Sequence, residues 1–158
     1  MMGLEIERKF LVDRKKWDLV EKPEGVHYRQ GYMLRNGQQT IRVRISNTKG
    51  YLNLKSKISG FSRKEYEYEI PLQDGIEILN TFTTSGTEKI RYNIPFEGKL
   101  WEVDVFSGDN AGLIVAEIEL QSESEEFEKP DWVTIEVTYD GRYTNASLSV
   151  NPYKDWQV

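Results

Sequence analysis

Glu5-Ile6-Glu7-Arg8-Lys9-Phe10-Leu11 is the stretch on which the fold of this chain turns. Side chains on a strand alternate between two faces, so Glu5, Glu7 and Lys9 share one face while Ile6 lies on the other. The arrangement recurs along the chain. Arg42 and Arg44 flank Val43, and Lys55 and Lys57 are two apart. Glu65, Glu67 and Glu69 alternate with Tyr66 and Tyr68. Lys89 and Arg91 flank Ile90, Glu102 and Asp104 flank Val103, and Glu117 and Glu119 flank Ile118. A sheet that gathers both signs of charge on one face is suited to a highly charged ligand and its metal counter-ions.

Composition narrows the classes. A chain of 158 residues is read as one domain, residues 1–158, large enough for a real core. It is 30% charged and 38% hydrophobic, and 12% aromatic residues argue against disorder. A net charge of −5 argues against a nucleic-acid partner. There is no cysteine, hence no disulfide framework and no thiolate metal site. His27 is the only histidine, which excludes a His-rich zinc centre or a His-based triad. No apolar run approaches a membrane span, so a soluble, cytoplasmic protein is expected.

The rest of the chain reads as strands and a few short helices. Strands are predicted at 4–12, 26–34, 40–47, 51–56, 63–71, 87–94, 100–106, 114–120 and 134–137. Asn36-Gly37 signals a tight hairpin turn. Helices are predicted at 13–20 with Asp13 as cap, at 74–82 with Asp74 as cap, and from 145 to 150. Residues 122–127 are read as a helical turn.

Eight or nine strands at hairpin spacing predict an antiparallel sandwich or barrel. The apolar faces carry Ile41, Val43, Ile45, Leu52, Leu54, Tyr66, Tyr68, Ile90, Tyr92, Val103, Val105, Ile118 and Leu120, and the helices are available to cover them. With helices outside, the charged faces line a channel. The alternative is an antiparallel sheet with one solvated, charged face. Two details favour the channel. The charged faces hold almost no Thr, Ser or Gln, and the signs cluster by strand.

Glu5-Ile6-Glu7-Arg8-Lys9 resembles the ExExK signature of the CYTH superfamily, the triphosphate tunnel metalloenzymes. Arg42-Val43-Arg44 resembles the family's basic strand, and Leu54-Lys55-Ser56-Lys57 its lysine strand. Arg63-Lys64-Glu65-Tyr66-Glu67 and Lys89-Ile90-Arg91-Tyr92 are similar to two further strands. So are Glu102-Val103-Asp104 and Glu117-Ile118-Glu119. Asp140-Gly141-Arg142-Tyr143-Thr144-Asn145 is similar to a C-terminal turn of the family. The matches run in order along nearly the whole chain. The resemblance implies a mainly β, α+β fold: a closed eight-stranded antiparallel β-barrel, or tunnel, with a charged lumen and short helices outside.

It also implies chemistry. Lys9, Arg42, Arg44, Lys55, Lys89 and Arg91 would bind and activate a small-molecule triphosphate, joined by Lys57 and Arg63. Arg grips phosphate oxygens with two donors, and Lys acts as a point charge. An ion pair with a neighbouring carboxylate is the plainer role for any one of them, above all Lys57 and Arg63. Glu5, Glu7, Glu117 and Glu119 would hold Mg²⁺ or Mn²⁺, which take oxygen ligands. Glu65, Glu67, Glu102 and Asp104 would orient the cations, and Glu69 would sit at the rim. His27 and the Arg14-Lys15-Lys16 run are read as surface, and Trp17, Trp101, Trp132 and Trp156 as packing residues. The expected reaction is hydrolysis of inorganic tripolyphosphate. A class IV-type adenylyl cyclase, a thiamine or nucleoside triphosphatase, and a non-catalytic polyphosphate-binding module stay open, as does a homodimer. A cyclase needs a base-binding wall, for which Tyr28, Tyr32 and Tyr92 are the available aromatics.

Overall fold

A computed structural model describes residues 3–156. Its strands are β1 (Gly3–Val12), β2 (Val26–Arg35), β3 (Gln39–Ile45), β4 (Gly50–Ser59), β5 (Ser62–Ile70), β6 (Gly86–Phe96), β7 (Lys99–Phe106), β8 (Ile114–Glu119) and β9 (Val133–Glu136). The helices are α1 (Arg14–Asp18), α2 (Leu72–Phe82) and α3 (Asn145–Leu148). The strands run in the order β5-β4-β3-β2-β6-β7-β8-β1, and β1 also pairs with β5, so eight antiparallel strands close into a ring. β1 is shared along its length. Gly3–Ile6 pair with β5, and Phe10 and Val12, beyond the reach of β5, pair with β9.

Contacts that skip a strand show which face is concave. Lys55 on β4 reaches Glu5 on β1 at 2.9 Å, past the intervening β5. Arg44 on β3 reaches Glu67 on β5 at 3.3 Å, past β4. Such contacts form only inside a closed wall. The charged faces therefore line the lumen, and the apolar faces point outward.

Outside, Ile6, Phe10, Trp101, Val103, Ala116 and Ile118 of the wall pack under Trp17, Leu120 and Trp132. Edge-to-face aromatic pairs knit this layer, with Trp17 5.3 Å from Trp132 and Phe127 5.8 Å from Trp101. Much of the cover comes from the irregular segment 120–132 rather than from a helix. On the opposite side α2 lays Leu79 against Val43 and Ile45. The cover stops there: Leu54 and Tyr68, expected under a helix, are exposed because α2 is too short to reach them.

Local chemistry sets the ends of the elements. Asp13 accepts from the backbone N–H of Lys16 and caps α1 as expected. α2 begins two residues before Asp74, behind Pro71, so Asp74 lies in the first turn and is not the cap. Proline fixes an extended entry and the acidic side chain favours the positive end of the helix. Asn36-Gly37 does not make a two-residue turn. Asn36 Oδ1 accepts from the N–H groups of Gln38 and Gln39, which holds a wider loop. The tight hairpin is instead Glu97-Gly98, both at positive φ (48° and 76°), between the paired residues Phe96 and Lys99. Residues 122–127 form turns without a helix.

The lumen changes character along its length. Its inward faces read Glu5, Glu7, Lys9 and then Leu11 on β1, Glu119, Glu117 and then Val115 on β8, and Glu102, Asp104 and then Phe106 on β7. Leu11, Val115 and Phe106 pack with Leu148 of α3 and with Tyr143, Tyr153 and Trp156. The C-terminal segment thus closes the apolar end of the barrel.

Candidate active site

Three linked groups of charges fill the lumen. The first centres on Lys55. Its ammonium lies 2.9 Å from Glu5, 3.8 Å from Glu65 and 3.9 Å from Glu7. Burial opposes its charge, but Glu7 and Glu5 outweigh burial and hold Lys55 protonated well above its ordinary range. Burial pushes the Glu5 carboxyl up to about 7 against the opposing pull of Lys55, with Glu65 adding repulsion. The buried Asn53 donates to Glu65 at 2.9 Å and to Glu67 at 3.2 Å, fixing those two carboxylates side by side.

The second group lies deepest. Lys89 is fully buried and donates to Asp104 at 2.7 Å and to Asn145 at 3.1 Å. Arg91 grips the same Asp104 with two donors, at 2.8 and 2.9 Å, and reaches Glu102 at 3.2 Å. Burial alone would raise the Asp104 carboxyl, but Arg91 and Lys89 hold it far below the carboxylate range. Burial lowers the Lys89 ammonium, and the nearby Arg91 and Arg42 charges lower it further, against Asp104. Asn145 Oδ1 also accepts from Gln30, whose own carbonyl oxygen accepts from Arg42 at 2.9 Å. A continuous polar chain thus runs from Asp104 through the start of α3 to Arg42.

The third group holds Arg42 and Arg44. Both approach Glu67, at 3.9 and 3.3 Å, and both have a buried Nε with no partner among the described residues. Burial, Arg42 and Arg91 together lower the Arg44 guanidinium below its usual value.

Glu7, Glu117 and Glu119 line the first and last strands of the ring, Glu7 opposite Glu119 and Lys9 opposite Glu117. Lys9 lies 3.7 Å from Glu117 and 3.3 Å from the Tyr143 carbonyl. Burial raises the Glu117 carboxyl, and Glu7 beside it raises it further. Burial also raises Glu119, with Glu65 and Glu102 adding to it. Among the described residues no three acidic side chains close on a common point. The donor set is nonetheless all oxygen, and a hard divalent cation would relieve the crowding of Glu7 and Glu117.

The structure therefore gathers Lys9, Arg42, Arg44, Lys55, Lys89 and Arg91 in the lumen with Glu5, Glu7, Glu65, Glu67, Glu102, Asp104 and Glu117, while Glu119 lies exposed. Arg63 and Lys57 stand opposite each other on β5 and β4. The carboxylate partners expected for them are not seen among the described residues; Arg63 donates to the Ser62 carbonyl instead. Glu69 is exposed, 3.8 Å from Lys49, at the rim. Of the three candidate wall aromatics, Tyr92 packs outside the barrel 5.6 Å from Trp17, and Tyr32 is buried opposite Arg42. Tyr28 packs on Arg44. Gln30, Asn53 and Asn145 were not legible as site residues. Their alternation with known lumen positions, two residues from Tyr32 and from Lys55, was the available signal for the first two.

The CYTH domain family matches residues 3–149. The chain is 49% identical over 157 residues to an inorganic triphosphatase of Acetivibrio thermocellus, covering 99% of each chain. It is 36% identical over 156 residues to an inorganic triphosphatase of Nitrosomonas europaea, covering 93% of this chain and 97% of that one. A crystal structure of an inorganic triphosphatase superposes with a TM-score of 0.63 at 34% identity, covering 92% and 93% of the two chains. No helix among the described residues is long and apolar enough to cross a membrane. With its closed ring, its charged lumen and a family match over nearly its full length, the chain belongs to the CYTH domain family.

Proposed function

We propose that this protein is a metal-dependent hydrolase that cleaves inorganic tripolyphosphate into pyrophosphate and orthophosphate. The observation that carries the reading is the convergence of Arg42 and Arg44, each with a buried Nε that has no partner among the described residues, with four further cations in one lumen. A linear triphosphate is a compact ligand whose several negative charges suit such a cluster of cations. The inorganic triphosphatase named above, 49% identical over 99% of this chain, supports the same substrate.

Arg42, Arg44 and Arg91 would grip the phosphate oxygens, and Lys9, Lys55 and Lys89 would neutralise charge along the chain. Glu5, Glu7, Glu117 and Glu119 would hold Mg²⁺ or Mn²⁺. Such an ion, when bound, neutralises phosphate charge and makes a bound water more acidic. Asp104 and Glu102 hold Arg91 still, and Asn53 fixes Glu65 and Glu67, so the charges are in position before substrate arrives. Water attacks the terminal phosphorus in line. The bond from that phosphorus to its bridging oxygen breaks, pyrophosphate leaves with the electron pair, and the water's proton passes to solvent. The partner is a small molecule and we propose a cytoplasmic setting.

The test is phosphate release from tripolyphosphate, ATP, GTP, thiamine triphosphate and pyrophosphate, each with Mg²⁺ or Mn²⁺. Tripolyphosphate should be the fastest. No release from it with either metal overturns the reading.

A further inference from the structure

Arg44 is held in an unusual way. Its register partners are Gln30 on β2 and Tyr51 on β4, and Tyr28 is the lumen residue next along β2. The guanidinium carbon lies 4.4 Å from the centre of the Tyr28 ring and 5.2 Å from that of Tyr51. Its contacts with Glu67 are long, at 3.3 and 3.5 Å from one nitrogen. Its Nε is buried and has no partner among the described residues. It also sits near Arg42 and Arg91, both of which repel it.

A buried cation between two other cations needs more than one distant carboxylate. The negative faces of two aromatic rings supply the remainder. Stacking engages the flat faces of a guanidinium and leaves its in-plane N–H donors free, and those are the donors that bind phosphate.

We propose that Tyr28 and Tyr51 are positioning residues: they clamp Arg44 between their faces with its donor edge toward the phosphate chain. The proposal rests on the triphosphatase reading.

The test compares Tyr28→Leu/Tyr51→Leu with Tyr28→Phe/Tyr51→Phe, which keeps both faces. In the Leu variant KM for tripolyphosphate should rise at least about tenfold, with a smaller change in kcat. kcat/KM for ATP should fall in parallel, because ATP carries the same triphosphate chain that Arg44 grips. The Phe variant should restore KM. Unchanged KM in a folded Leu variant overturns the clamp, and a Phe variant as weak as the Leu variant overturns it too. A clearly larger loss with ATP than with tripolyphosphate means that the rings stack on the base instead of holding Arg44, and it overturns the clamp as well. If the double Leu variant does not fold, Tyr28→Leu alone carries the same comparison. Calorimetric titration of tripolyphosphate without metal separates the two readings. Weakened binding in the Leu variant supports the clamp even if wild type releases no phosphate, an outcome that overturns only the hydrolase.

Discussion

Lys55 of β4 holds Glu5 of β1 at 2.9 Å across the full width of β5, and the Glu5 carboxyl is nevertheless pushed up to about 7. Desolvation wins over a close cation. A carboxyl whose folded pKa is raised stabilises the fold at low pH, and that contribution is lost as pH rises from its ordinary 4.5 through about 7. Glu117 and Glu119 are raised as well and act in the same direction. The metal-free protein should therefore lose thermal stability across this window, and Glu5→Gln should flatten the loss. Each kcal/mol is worth roughly 2–4 °C in Tm for a chain of this size. Melting curves of both proteins from pH 4 to 8, in chelator, test this; parallel pH profiles would rule out Glu5 as a source.

Asp104 behaves in the opposite sense. It faces Lys89 at 2.7 Å and Arg91 at 2.8 Å with almost no solvent access. Its carboxyl is depressed, so its stabilisation is present above its ordinary 3.8 and is lost only in strong acid. Asp104→Asn strands two buried cations. Removing one partner of such a group costs roughly 3–5 kcal/mol, so Tm should fall by roughly 6–20 °C at neutral pH. A shift below about 2 °C, less than 1 kcal/mol, would mean that the two cations relax into water.

Glu117→Gln and Glu119→Gln should separate stability from activity. Each removes one negative charge from a crowded acidic group, and the Glu117 carboxyl is already raised by burial and by Glu7. Metal-free stability should hold or increase. Phosphate release at limiting Mg²⁺ should be lost, because a carboxamide cannot replace a charged metal ligand. Two variants with wild-type rates would remove these residues from the site.

The barrel was legible because its strands repeat one signal. Arg42-Val43-Arg44 and Glu117-Ile118-Glu119 declare both faces at once, and a shift of one residue would bury every charge in the outer apolar layer. Asn53 and Gln30 lie on the same faces, but a neutral amide gives no sign of what it will bond. Asn145 reaches Lys89 across 56 positions of sequence through a helix that blocks the barrel end, and no local pattern records that contact. The Asn36-Gly37 turn failed for a local reason: the Asn36 side chain found backbone donors two and three residues ahead and widened the loop. Leu54 and Tyr68 failed for a global one, since alternation reports which face a residue takes and says nothing about how far a helix extends over it.

Tripolyphosphate should stabilise the folded protein, because the unfolded chain cannot gather these cations. At a concentration one hundred times Kd the gain is about 2.7 kcal/mol. Sulfate at equal ionic strength screens charge without bridging Arg42, Arg44 and Lys55. A tripolyphosphate shift no larger than the sulfate shift would point to charges that act independently, as on a solvated sheet.

Substrate choice follows from what the lumen can recognise. In the proposed site Lys9, Arg42, Arg44 and Lys89 would meet phosphates rather than a base. The depth of the barrel is closed by Leu148, Tyr143 and Trp156, so a nucleoside would have to remain at the open end. It would gain little there. Water, by contrast, reaches the terminal phosphorus of any triphosphate. We therefore expect kcat/KM for tripolyphosphate to exceed that for ATP by at least about tenfold, about 1.4 kcal/mol of differential transition-state binding. Any ATP consumed should yield orthophosphate and not cyclic AMP. Cyclisation requires the ribose hydroxyl to be held in one pose against the α-phosphorus, a stricter demand than admitting water. Both products can be resolved in one chromatographic assay with labelled ATP. Cyclic AMP as the main product, formed faster than tripolyphosphate is hydrolysed, would replace the hydrolase reading with a cyclase.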